Sequence, residues 1–228
     1  SVHWSLLYHT ISTANTIIDR LPVSEVSEEQ KTIAEAKARF FRGFAYRTLT
    51  YLYGGVPLLL TEVIEPKFDY VRASKEEVLR QALTDVEFAA AHLPSLSSVQ
   101  DGEVSNAAAY HLLSELYLAT AQYQKAVDAA TTVIDDPATG LMYTRFGSRA
   151  NELPGDVYWD LFRKNNQNRS SGNTEGIWVI QIETDTPGGS GSLTAKDQTY
   201  TLERHHAPMV RDVKAHGMNP FSWPIGDY

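Results

Sequence analysis

Apolar positions recur at helical spacing through roughly the first 135 residues and lose that rhythm afterwards. Trp4, Leu7, Tyr8, Ile11, Asn15 and Ile18 fall on one stripe. Asn15 is its single polar interruption, and an asparagine there is expected to satisfy a neighbouring backbone group. Leu21-Pro22 ends this first helix, residues 3 to 20, because proline pushes the residue before it out of the α region. Ser27-Glu28-Glu29-Gln30 is a capping box that opens a second helix over 28 to 53. Phe41, Phe44, Ala45, Thr48, Leu49 and Leu52 share one of its faces, and Glu35, Arg39 and Arg42 another. The two arginines are expected to bridge loops to helix ends. Gly54-Gly55 supplies a C-cap, and Val56 before Pro57 must be extended, so the chain leaves the helix abruptly.

Ser74-Lys75-Glu76-Glu77 is a second capping box, with Leu79, Ala82, Leu83, Val86, Ala90 and Leu93 in stripe behind it and Pro94 as the stop. A loop over about 95 to 103 leads to Ser105 as N-cap, then to helices over 106 to 120 and 123 to 135, stopped by Pro137. Residues 107 to 137 fit a tetratricopeptide hairpin. Tyr110, Leu113, Ser114 and Tyr117 belong to its first helix, and Tyr123, Ala126, Ala130 and Val133 to its second. Small Ser114, Ala126 and Ala130 let the two helices approach. Such a hairpin leaves apolar surface uncovered and needs neighbours, which the three earlier helices provide. After Pro137 the pattern changes. "GIWVIQIET", 176 to 184, has strand composition, and the chain is turn-rich from Pro187. The expectation is a mainly α protein. A tetratricopeptide-like helical hairpin scaffold covers 1–137, and a long irregular, loop-rich portion with a short strand or hairpin covers 138–228 and packs on it.

Composition narrows the function. A formal net charge of −8 argues against nucleic acid, which needs a basic face. The absence of cysteine removes disulfides, thiolate metal sites and cysteine nucleophiles. No stretch approaches the roughly 20 apolar residues of a membrane helix. Glu203, His205, His206, Asp212 and His216 match no metal signature, since adjacent histidines on an extended chain point to opposite sides; no metal and no cofactor is expected. "PGGSGSL" lacks the strand-turn-helix setting of a nucleophile elbow.

Four segments together resemble the SusD/RagB family. "AEAKARFFRGFAYRTLTYLYGGVPLLL" looks like its signature helix and exit, and "WSLLYHTISTANTIIDRLP" like the helix before it. "SNAAAYHLLSELYLATAQYQKAVDAATTVID" is similar to its repeat unit. "YWDLFRKNNQNRSSGNTEGIWVIQIET" is similar to a later segment in which Asn173, Glu175 and Ile177 precede a short strand. The resemblance implies a non-catalytic outer-membrane nutrient-binding lipoprotein at the extracellular face. It would capture oligosaccharides, or peptides in some branches, for a partner TonB-dependent transporter barrel of the SusC/RagA type. The family's N-terminal lipid-anchor segment and its C-terminal part are not represented, so a partial chain is implied.

Sugars bind in water by laying their apolar faces on aromatic rings while polar groups read the hydroxyls. Helix-stripe rings (Trp4, Phe41, Phe44, Tyr117) are expected in the core, and Trp178 in packing. The family places ligand-contacting aromatics in the irregular region, which makes Tyr200, Trp223 and Tyr228 candidates. Trp159 is another, with Arg204, Asn219 and Asp227 as hydrogen-bonding partners. Two other classes compete. An intracellular tetratricopeptide scaffold predicts further in-register repeats after 138, and a glycoside hydrolase predicts paired carboxylates in a deep site.

Overall fold

The computed structural model describes residues 2–181. Five long helices run in sequence: α1 (Val2–Arg20), α2 (Glu28–Tyr53), α3 (Lys75–His92), α4 (Asn106–Ala119) and α5 (Tyr123–Ile134). Each packs on the next, and α2 also touches α4. A short α6 (Val157–Leu161) stands alone in the segment after α5, which holds no second helical hairpin up to residue 181.

The helix starts are chemical. Gln30 N donates to Ser27 Oγ (3.2 Å) and Ser27 N returns a bond to Gln30 Oε1 (3.1 Å), and the Ser74–Glu77 pair repeats the exchange. In the second box the Ser74 amide and hydroxyl hold the Glu77 carboxyl below the usual carboxylate range. Ser105 caps α4 through Ala108 N. Gly54 ends α2 with φ +71°, and Arg72 finishes that end by donating to the carbonyls of Tyr53 (2.9 Å) and Gly55 (2.7 Å).

The core lies between α1, α2, α3 and α4, centred on Ile11, Phe40, Tyr46, Leu49, Val86 and Leu116. Gly43 brings α2 onto α3: a Cβ there would stand 2.5 Å from Val86 Cγ2. Burial on α2 departs from the expected stripe. Phe40 and Tyr46 are fully buried, Phe41 and Phe44 are half-buried, and Leu52 is exposed. The reason is that α2 is covered from more than one side, so no single face carries the core. Trp178 comes back from beyond α5 to meet Phe40, Phe41 and Phe44 at steep ring angles, with centroids 5.5, 5.9 and 6.1 Å away, and donates to Gly102 O. Tyr117 is buried as expected, whereas Trp4 is half-buried and packs against the edge of the core.

The chain leaving α2 is extended but joins no sheet, and helix side chains satisfy its backbone instead. Tyr8 Oη donates to Pro57 O (2.7 Å), Tyr46 Oη to Leu59 O (2.7 Å), and Asn15 Nδ2 to Leu59 O and Thr61 O (3.0 and 3.1 Å). Burial pushes the Tyr8 hydroxyl up to about 12 and raises that of Tyr46 further, so both remain donors. Asn15 therefore meets backbone carbonyls, as its place on the stripe suggested. Arg42 reaches Leu60 O (3.2 Å), but its main partner is the buried Asp85 of α3, held by two bonds of 2.8 and 2.7 Å. Arg39 bridges no loop; it pairs with Glu35 one turn back and lies over the Phe88 ring.

Two further expectations need correction. Residues 176–181 form no strand, with a bend at Ile177, and the only bridge among the described residues joins Pro57 to Arg72. β-branched composition alone supplies no pairing edge, and here the segment is tied down by Trp178 and Gln181 side chains. Residues 182–184 of that segment lie outside the described residues. On the tetratricopeptide hairpin, Ala126 and Val133 are buried, yet Tyr123 is exposed with Val127 and Ile134, because no described element covers the outer face of α5.

Candidate functional site

α6 is short and begins at Asp156, whose carboxylate accepts from Trp159 N (2.8 Å). One helical turn sets Tyr158 and Phe162, four residues apart, on the same side. Both stand in solvent, 71% and 65% exposed, with ring centroids 5.0 Å apart and planes inclined at 63°. Trp159, one position out of phase, is half-buried. The Arg163 guanidinium lies over its ring, 3.1 Å from the centroid, and those of Arg145 and Arg149 approach to 5.5 and 5.6 Å. A Cβ on Gly155 would stand 2.4 Å from Trp159 Cε3, so only glycine lets the backbone pass this close to the indole.

Beneath the rings the frame is polar. Asp160 is fully buried and accepts from Arg145 Nε (2.5 Å) and Nη2 (3.1 Å) and from Phe146 N (3.1 Å). Arg145 also donates to the carbonyls of Arg149, Glu152 and Gly155. Its hydrogen bonds hold the Asp160 carboxyl below the usual range, against the effect of burial. Asn166 donates to Phe146 O (3.3 Å) and Asp160 O (3.0 Å), and Asn173 to Asn166 O (3.0 Å). Arg163 is 6% exposed, and burial, then Arg149, pull its pKa down.

Above this frame opens a concavity of about 690 Å3, lined by Pro154, Asp156, Tyr158, Trp159, Phe162 and Arg163 among others. Exposed ring faces with a polar rim suit stacking on an apolar ligand face. The described lining includes one carboxylate, whereas glycoside hydrolysis uses two.

Of the residues singled out from sequence, Trp159 lies at this site, turned toward the arginines. Tyr200, Arg204, Asn219, Trp223, Asp227 and Tyr228 lie outside the described residues, as do the histidines weighed for a metal site. Tyr158 and Phe162 are not among the residues the sequence points to. Their i, i+4 spacing in "YWDLF" was the available signal, masked by the larger tryptophan between them.

A family model described as "Starch-binding associating with outer membrane" matches residues 1–118. A curated relative, SusD-like protein P25 of Formosa agariphila, is 23% identical over 163 residues, 69% of this chain and 31% of that protein. A SusD-like protein of Bacteroides fragilis shares the fold at a TM-score of 0.67 and 23% identity, over 81% of this chain and 34% of its own. A solved laminarin binding SusD-like protein superposes at a TM-score of 0.56 with 27% identity, over 63% of this chain and 33% of its own. The chain thus spans about a third of the length of these proteins. The family match covers more than half of its residues, and the chain belongs to the SusD-like family.

Proposed function

We propose that this chain is part of a non-catalytic cell-surface protein that captures oligosaccharides and hands them to a TonB-dependent transporter barrel of the SusC/RagA type. The observation that carries the reading is the family match over residues 1–118, with its starch-binding, outer-membrane description. The laminarin binding relative supports a glycan ligand, and the exposed Tyr158 and Phe162 rings offer a stacking surface of the right chemistry. The protein would sit at the extracellular face of the outer membrane on a lipid anchor. Capture is passive: the helical scaffold over 1–137 holds the loop-rich, ligand-binding portion over 138–228 steady, and release follows when the transporter takes the ligand. Tyr200, Trp223 and Tyr228, with Arg204, Asn219 and Asp227, are proposed to extend the contact surface beyond Trp159 and its neighbours.

Isothermal titration against a panel of oligosaccharides tests the reading, with intact ligand recovered after binding. Peptide binding in place of glycan binding assigns the protein to a peptide-capturing branch. Release of shorter sugars from a bound glycan overturns the non-catalytic assignment.

A further inference from the structure

We infer that the Tyr158–Phe162 wedge takes an uncharged sugar ring and turns away uronate-bearing and sulfated glycans. The inference rests on the glycan-binding reading and specifies its ligand.

An anionic sugar needs a cation that can face it, ideally a guanidinium fork presented to the carboxylate or sulfate. Among the described residues, three arginines surround the site, and each is engaged with the protein. Arg145 donates to the Asp160 carboxylate and to three backbone carbonyls. Arg149 is ion-paired with Glu152 at 2.6 Å. Arg163, the cation among the described lining residues, is nearly buried and spread over the Trp159 ring. Among the described lining residues, the charge that faces solvent is the carboxylate of Asp156, which is exposed and repels a like charge. Among the described residues, the site therefore offers an incoming anion repulsion without a compensating fork.

Ring geometry limits the contact as well. Planes inclined at 63° cannot both lie against one flat sugar face. A single pyranose seats on one ring while the other flanks it, and the Tyr158 hydroxyl lies within reach of its hydroxyl groups.

The test is a calorimetric titration of the whole chain with neutral gluco-oligosaccharides, with oligogalacturonate and with a sulfated oligosaccharide, at low and high salt. Expected are binding of a neutral ligand that salt leaves unchanged, and anionic ligands weaker by roughly tenfold or more. Tyr158→Ala and Phe162→Ala should each weaken neutral binding by up to roughly tenfold, the loss of one stacking ring. Asp156→Asn keeps a capping side chain and should raise anionic relative to neutral affinity. Tightest binding to an anionic ligand, lost on adding salt and sensitive to the two ring variants, overturns the inference and leaves glycan capture standing. Neutral binding indifferent to both ring variants also overturns it, since the sugar then sits elsewhere. Failure of every oligosaccharide to bind removes the glycan-binding reading itself.

Discussion

The helical stack and the segment after α5 are built on opposite plans. From α1 to α5 the buried residues are mostly apolar, with a few polar groups (Asn15, Arg42, Asp85) placed where an irregular backbone crosses the helices. Between 138 and 181 the proportions reverse. Phe146 is buried together with Asp160, Arg163, Asn166 and Asn173, while Leu141, Tyr143, Leu153, Tyr158 and Phe162 face outward. The first plan gets its stability from excluded water, whereas the second gets its shape from hydrogen bonds and leaves its apolar side chains unspent. A scaffold and a contact surface require these two plans, because rings consumed by a core cannot stack on a ligand.

Removing a charge from the stack should have the largest effect. Asp85→Asn leaves Arg42 buried beside a neutral amide, and breaking a buried pair in this way costs about 3–5 kcal/mol. For a chain of this size that corresponds to a melting temperature lower by on the order of 10 °C. Scanning calorimetry measures it, and an unchanged transition would show that the buried polar groups of the stack are incidental.

Gly43→Ala should rank second. Alanine improves helix propensity by up to about 1 kcal/mol. Its Cβ, however, meets the stiff, β-branched Val86 at 2.5 Å and the Ala82 carbonyl at 3.1 Å, and overpacking costs about 1–3 kcal/mol. The clash outweighs the propensity gain, so denaturant unfolding should show a net loss, part of which Val86→Ala recovers in the double variant.

The two plans also differ in how far the sequence reveals them. Both capping boxes, the Gly54 stop and the role of Asn15 are legible because each depends on neighbours a few residues away or on one polar residue breaking a stripe. Phe40 and Tyr46 were not read as core because α2 is covered on several sides, and a single-stripe reading presumes one. The partner of Arg42 lies 43 residues along the chain, a distance no periodicity spans. The segment at 176–181 has strand composition but lacks a partner edge, which composition cannot disclose. At the site, Trp159 draws attention by size, yet the residue that packs under arginine is the tryptophan and the exposed pair is Tyr158 and Phe162.

A third prediction concerns acid. Asp160 titrates below its ordinary value because it is bonded to Arg145. Its contribution is therefore present above the unfolded-state value of about 3.9 and is lost as pH falls through the lower folded value. Hydrogen exchange at 145–166 should rise in that acid range before exchange in α2 and α3, and Asp160→Asn should produce the same local rise at neutral pH. Simultaneous opening of both regions would mean that the polar frame is not a separate unit of stability.

The smallest effect on stability sharpens the comparison most. Phe162→Ser removes a ring that is mostly in solvent and inclined against that of Tyr158. An exposed substitution of this kind shifts stability by no more than about 0.5 kcal/mol, and no core cavity opens. Had the same ring been drawn from the stack, as with Phe40, truncation would cost about 3–5 kcal/mol. Unfolding of the variant should thus overlay that of the parent chain while sugar binding weakens. A large loss of stability would instead mean that Phe162 packs against part of the protein in solution, and the contrast between a consumed core and an available surface would no longer hold at the residue where it matters most.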